Sequence, residues 1–490
     1  MSASPSSADR SRPAGRAAGG GLWSPERRSL TVGLVLTITL VAFEALAVST
    51  IMPVVARELG GFDLYGWVFS AFFLGNLIGI VVVGILIDRG GLVRPFVAGL
   101  ALFGVGLAIG GLTPQMLILV AGRFLQGFGA GAVAPTAYVA IGRSLPEDLR
   151  ARMFATMSTA WVLPGVIGPA VAGAVAQYVT WRAVFLGLLP LIVVSGSLAV
   201  AGLRSVPPPD ADHASAEHAV GSDAARRLPR AVLLAAGAAL TLAGLSDPTP
   251  LVGVVLVVVG LTLGLPSFRA LVPRGTLRAR GRLPSAVLLR GVATFTFFAV
   301  DAYVSLLLVE WRGVPPAIAG IALTGATVSW TAGSWVQARS VTRVGAARFV
   351  GAGLTTVVIG IALTTLIVIP AVPVILVVPT FAVAGLGMGL AYAPLSLVVL
   401  AEATPGAEGS VTAGLQLSDT LGTALGTGVA GAIIAALVRS GLSQGAGIAA
   451  AFGVAAAVGL AGIALSPRLR GAVRKPAVEP AAASELDLIA

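Results

Sequence analysis

Five charged residues stand inside long apolar runs: Glu44, Arg123, Arg290, Asp301 and Asp419. A carboxyl in such a run marks a functional site by default, because charge there is costly unless it is used. It can load and release a proton or bind a cationic group. An arginine in the same setting must face an interior and meet an acid, or snorkel to an interface. Other chemistry is poorly provided for. The chain has no cysteine, which removes disulfides, thiolate nucleophiles, iron–sulfur clusters and cysteine-bound zinc. Its two histidines, His213 and His218, fall in a polar segment, too few for a metal cage or a catalytic triad. Neither an enzyme nor a metal or other cofactor is expected.

The elements that must position these groups follow from composition. Of 490 residues 56% are hydrophobic and 11% charged, with a mean hydropathy of +0.95. Soluble domains carry about 25% charged residues, so the fold class is an all-α polytopic membrane protein. Apolar runs of helical length bounded by Gly, Pro or charge predict spans at about 30–56, 65–87, 95–113, 115–141, 153–178 and 183–203. Two more, at about 231–246 and 250–271, precede a second six at about 284–309, 315–337, 349–369, 373–400, 410–437 and 446–466. The expectation is fourteen transmembrane helices: two six-helix bundles, 29–203 and 284–466, with two extra central helices in 231–271.

The net charge of +11 invites a nucleic-acid reading, which its distribution removes. With fourteen spans, 26 of the 32 basic residues fall on the side of the N-terminal tail, against Arg57, Arg182, Arg312 and Arg439 on the other. By the positive-inside rule both termini are cytoplasmic. The tail 1–28, rich in Ser, Pro, Gly and Arg, reads as disordered. Its Arg27-Arg28 pair before an apolar run mimics a signal peptide, but a first span flanked by basic residues explains the same pattern. Segment 204–230 lacks periodicity and reads as a cytoplasmic linker, 272–283 as a cytoplasmic loop and 467–490 as a cytoplasmic tail.

The chain also repeats itself. Gly127, Gly129 and Gly131 return 258 residues later as Gly385, Gly387 and Gly389, and Pro146 returns as Pro405. The same offset carries Glu44 to within one residue of Asp301. Transporter repeats place their site at the repeat interface, so the two acids would face one cavity.

Four segments carry a family resemblance. GILIDRGGLVR (84–94) resembles the major facilitator superfamily's loop after span 2, with Gly84, Asp88, Arg89 and Gly91 in place; Leu92 and Val93 replace the usual basic pair, and Arg94 follows. RFLQGFGAG (123–131) is similar to the span 4 motif with a buried arginine, and brings Gln126 into the cavity set. PGVIGPAVAG (164–173) resembles the antiporter motif of span 5, with Gly165, Gly168, Pro169 and Gly173 kept but Pro164 and Ala172 where glycines usually stand. FEALAVSTIMP (43–53) is similar to the span 1 motif, with Glu44 in place of aspartate.

Together these segments resemble the fourteen-span drug:proton antiporters over almost the full length. The resemblance implies a major facilitator fold and a monomer in a bacterial cytoplasmic membrane, exporting lipophilic or cationic small molecules against protons, H+ being the coupling ion. In it Glu44 leads proton coupling, and Gly84, Asp88, Arg89, Gly91 and Arg94 form a cytoplasmic latch, with Gly84 allowing close helix approach. Gly168-Pro169 and Gly173 would make span 5 a kinked helix with a flat face, suited to a hinge. Arg290, about 16 Å along its helix from Asp301, cannot pair with it and is read as snorkelling or latching. Asp419 could bind a cation, carry a proton or pair with Arg123. Alternatives are an exporter of a lipid or endogenous secondary metabolite, or a nutrient uptake transporter.

Overall fold

The computed structural model describes residues 21–206, 211–404 and 408–470, without the side chains of 26, 88–90, 147, 148, 151, 154, 155, 158, 211–226 and 408. The side chains of Asp88, Arg89, His213 and His218 therefore lie outside the description, as does Pro405. Every element among the described residues is helical, as a chain immersed in lipid requires if its backbone is to satisfy itself.

The helices are α1 Pro25–Leu59, α2 Tyr65–Gly90, α3 Val93–Leu112, α4 Met116–Ala130, α5 Val133–Ser144, α6 Glu147–Thr159, α7 Val162–Tyr178, α8 Arg182–Leu186 and α9 Leu188–Leu203. They continue as α10 Ala211–Ser246, α11 Pro250–Leu271, α12 Arg282–Leu306, α13 Pro316–Val344, α14 Ala346–Thr365, α15 Val377–Glu402, α16 Glu408–Arg439 and α17 Gln444–Leu465. Twelve stretches among the described residues are long and apolar enough to cross a membrane, by length and composition. Fourteen were expected. The two missing from the twelve, at 153–178 and 315–337, are helical but differ in kind. The first is interrupted at Ala160–Trp161, leaving α7 with 17 residues. The second, α13, is continuous but punctuated by Thr327, Thr331, Ser334, Gln337 and Arg339.

The break falls nearer the start of this span than the Gly168-Pro169 pair at which a kink was expected. Pro164 removes the N–H that would bond to Ala160 O, so the helix parts at 160–161, whereas α7 runs on through Pro169. A second difference concerns 204–230, expected to lack periodic structure: from Ala211 its backbone is helical and continuous with the apolar part of α10. Its alanines, glutamate and arginines favour that state.

In the first half α2 and α3 pack on α4, and α1 packs on α7 and α9; in the second α13 and α14 pack on α15, and α12 packs on α16 and α17. The glycine repeat is built the same way twice. Gly127 and Gly131 turn toward α2, where a Cβ would collide with Phe72 O and Ile80 N, and Gly129 turns toward Gly99 on α3. Gly385 and Gly389 turn toward Ala326 and Trp330 on α13, and Gly387 toward Gly353 on α14. Side chains at these positions would push the backbones apart.

Two seams join the halves, α2 on α16 and α7 on α13. The inserted α10 lies along the first, its buried stripe of Ala231, Leu234, Ala235, Ala238 and Leu242 repeating every three or four residues. The starts of α1 and α12 meet the ends of α9 and α17: Gly202 abuts Leu30, and Arg282 donates to Leu469 O at 3.3 Å. We call this end the terminal face and the opposite end the far face.

Candidate functional site

In the first half the site is a buried ion pair. Arg123 on α4 is 2% exposed, Glu44 on α1 1% and Gln126 fully buried. Arg123 Nη1 donates to Glu44 Oε1, and to Gln126 Oε1 at 2.8 Å; its Nε donates to Val68 O at 3.2 Å. The guanidinium lies 4.4 Å from the centre of the Phe72 ring. One arginine thus ties α1, α2 and α4 together, and the closeness of α4 to α2 that Gly127 permits brings it there. Glu44 Oε2 and Gln126 Nε2 have no hydrogen-bond partner among the described residues. The acid expected to meet Arg123 is therefore Glu44, and Asp419 lies elsewhere.

The second half breaks the repeat at this point. The position 258 residues after Arg123 is Phe381, fully buried and stacked on Phe297 with ring centres 5.5 Å apart. Asp301, the counterpart of Glu44, consequently has no arginine, and its carboxylate has neither ion pair nor hydrogen bond among the described residues. It is partly exposed. In the far half of α12, from Ala293 to Leu306, Phe295, Phe298 and Asp301 are the partly exposed positions and all others are buried. α12 is packed by α16, α17, α15 and α1, and this stripe is the part of its far half that they leave partly uncovered. An aromatic wall continues from it: Phe298 to Trp330 at 6.4 Å, Trp330 to Tyr392 at 5.3 Å.

At the end of that wall lies a second charge cluster, which sequence reasoning left open. Arg290 Nε donates to Asp419 Oδ1 at 2.8 Å, and Arg290 Nη1 donates to Tyr392 O at 2.8 Å and Ser396 Oγ at 3.3 Å. Tyr392 OH donates to Asp419 Oδ2 at 3.1 Å. Arg290 is thus paired, where snorkelling or latching was expected.

The span 5 residues build the α7–α13 seam. A Cβ on Gly165 would strike Thr327, and one on Gly173 would lie 2.5 Å from Pro316 O; Gly168 faces Phe43, the neighbour of Glu44. Gly320 of α13 meets Pro169 O in return. Of the latch residues, Gly91 ends α2 at φ +82°, a left-handed conformation that favours glycine, and Arg94 is exposed. Gly84 does not support the reason given for it: no atom lies within 4 Å of where its Cβ would stand, so no helix approaches closely there in this conformation.

Sequence reasoning missed the far-face clasps. Arg57 pairs with Glu310 at 2.8 Å and Arg439 with Asp63 at 2.7 Å, both across the halves. Arg182 pairs with Glu58, and Arg312 caps carbonyls of 367–372. Four far-side arginines amid few basic residues were the available signal. Behind the clasps Gly66 touches Gly431, and Tyr303 OH donates to Thr427 O at 2.8 Å. The halves are closed here. Exposed pairs contribute little each, so opening should be tunable: Arg57→Ala with Arg439→Ala is expected to raise the labelling rate of a cysteine placed at Ser70 by a water-soluble thiol reagent from the far side several-fold. Unchanged labelling would mean that the helix packing alone holds the face shut.

The comparisons agree with this architecture. The family model described as Major Facilitator Superfamily matches residues 34–427, and the chain belongs to that superfamily: it is a multi-pass membrane transporter. A probable multidrug-efflux transporter of Mycobacterium tuberculosis is 27% identical over 429 residues, covering 83% of this chain and 88% of that one. Multidrug resistance protein 3 of Bacillus subtilis is 30% identical over 166 residues, 34% of this chain and 32% of that one. The solved structure of a D-xylose-proton symporter matches with a TM-score of 0.65 at 15% identity, over 91% of this chain and 98% of that one; the likeness is one of fold.

Proposed function

We propose that the chain is a proton-coupled exporter of lipophilic or cationic small molecules, working by alternating access in a bacterial cytoplasmic membrane with the terminal face cytoplasmic. The observation that carries this reading is Asp301, a carboxylate without a protein partner among the described residues, on the helix from which a wall of aromatic rings continues. Rings of that kind attract cations through their faces, and the unpaired carboxylate supplies the charge. The same carboxylate takes a proton, so cation and proton compete for one site. Glu44 and Asp419 differ in that each already has an arginine. The arginine distribution supports the orientation, and the efflux names of the relatives support the direction.

The test uses inverted membrane vesicles holding an acid-inside gradient, with a pH-sensitive dye and a panel of lipophilic cations and neutral lipophiles. Addition of cations is expected to release protons with the native chain and not with Asp301→Asn. A native chain that releases no protons with any compound sinks the coupling, and a fully active Asp301→Asn sinks the site.

A further inference from the structure

The fold does not require the Arg290–Asp419 cluster. At the repeat offset of 258 residues Arg290, Tyr392 and Asp419 fall on Val32, Ala134 and Trp161, so the first half builds the corresponding helices with no charge at these positions. The cluster also differs from the Arg123–Glu44 pair in being accessible: the Asp419 side chain is 23% exposed, against 1% for Glu44.

Its geometry is that of a cation held by acceptors. Around the guanidinium stand the Asp419 carboxylate, the Tyr392 carbonyl, the Ser396 hydroxyl and the face of the Tyr392 ring, whose centre lies 3.0 Å from the guanidinium carbon. The Tyr392 hydroxyl orients the carboxylate through its other oxygen. A carboxylate beside an aromatic face is what an organic cation needs, and here a side chain of the protein already occupies it. The hold is single: one N–H of Arg290 reaches the carboxylate, whereas two parallel bonds make the strong form of this pair. Arg290 also has somewhere to go. Side chains on a helix lean toward its N-terminus, which for α12 is the terminal face, and a long arginine extends its charge to such an interface. In the other direction the Tyr392 ring leads through Trp330 to Phe298, on the helix face that carries Asp301. Tyr138 of α5 lies within electrostatic reach of Arg290, so the cluster faces the first half.

We propose that the Asp419 carboxylate and the Tyr392 ring form a second cation site, that Arg290 fills it as a tethered stand-in for substrate, and that an organic cation arriving from the terminal face takes the site by displacing the guanidinium. The stand-in makes the site selective. A small inorganic cation keeps its water and leaves the guanidinium in place. A weakly hydrated organic cation gains from the carboxylate and the ring together and displaces it. The inference rests on the reading of the chain as an exporter of organic cations, but not on Asp301 or on proton coupling.

The test measures equilibrium binding of tetraphenylphosphonium to the purified full-length chain in detergent. A site filled by its own arginine shows an affinity reduced by the fraction of time it stands vacated, so Arg290→Ala is expected to bind the probe about tenfold more tightly than the native chain. An arginine with a merely structural role would give weaker binding on removal. Adding Asp419→Asn to Arg290→Ala should abolish the gain. Arg290→Lys keeps a charge for Asp419 and carries the test if the alanine variant fails to fold; its more hydrated ammonium, which does not stack on the ring, should leave a gain of about threefold. Methylguanidinium supplies the missing group, and should compete with the probe several-fold more strongly in Arg290→Ala than in the native chain. Equal affinity in the native chain and the arginine variants, or a gain that survives Asp419→Asn, overturns the proposal. These readouts are of binding alone, so absent proton release in vesicles would remove the coupling and leave this site standing.

Discussion

Arg123→Met is expected to be among the most damaging single substitutions in the chain, costing about 3–5 kcal/mol, the range for stripping one partner from a buried ion pair. The variant would leave the Glu44 carboxylate fully buried with neither oxygen satisfied, and would withdraw the guanidinium that joins α1 to Val68 O of α2 and to Gln126 of α4. Glu44→Gln should also destabilise, by leaving the arginine uncompensated. The double variant Arg123→Met/Glu44→Gln is the discriminating case, since a neutral pair of similar volume removes the uncompensated buried charge that destabilises each single variant. Thermal unfolding in detergent should show both single variants well below the native Tm and the double variant restored to within a few degrees, with transport still absent. A double variant as unstable as either single one would mean that the pair acts through packing and not through charge balance. The point bears on coupling experiments: loss of transport in Glu44→Gln alone does not separate a proton carrier from a broken keystone, whereas Asp301, which has no partner to orphan among the described residues, can be tested singly.

How far this site could be read beforehand depended on whether a feature lies along a helix or between helices. Positions along helices were legible: Glu44, Arg123, Asp301 and Asp419 were visible as charges in apolar runs, and the need of Arg123 for an acid follows from the cost of burying it. Which acid it meets depends on the order of helices around the bundle, which hydropathy does not encode. Depth could have paired Arg290 with Asp419. Arg290 is eight residues into α12 and Asp419 eleven into α16, so both stand about 12–16 Å from helix starts on the same side. The sequence reading compared Arg290 only with Asp301 on its own helix. The α6–α7 interruption was legible in Pro164, but attention fell on Pro169. The clasps at the far face join residues from separate helix ends, Arg57 to Glu310 and Asp63 to Arg439, and no spacing rule relates them.

Gly127→Val should fail to assemble a normal first half, and the reason separates glycines that are structural in this conformation from those that are not. A Cβ at Gly127 would overlap Phe72 O, a backbone atom that cannot turn aside as a side chain would. Relief requires α4 to retreat from α2, which draws Arg123 away from Val68 O and from Glu44. Overpacking of this kind costs up to about 3 kcal/mol or more, and here the disturbed ion pair adds to it. The repeat predicts the same outcome for Gly385→Val, where the Cβ would overlap Ala326 O, although no ion pair depends on that contact. Its Tm loss should therefore be the smaller of the two. Gly84→Val is the counter-case. With no atom within 4 Å it should unfold within a degree or two of the native chain in this far-closed state. If Gly84 permits a close approach only when the terminal face shuts, the valine will nonetheless slow turnover, and cysteine labelling will report a population shifted toward the far-closed conformation. A large Tm loss for Gly84→Val would show that α2 meets a neighbour at this position, whereas native turnover would remove Gly84 from the gate. The stability of one variant and the rate of the other thus place the two glycines at opposite ends of the transport cycle.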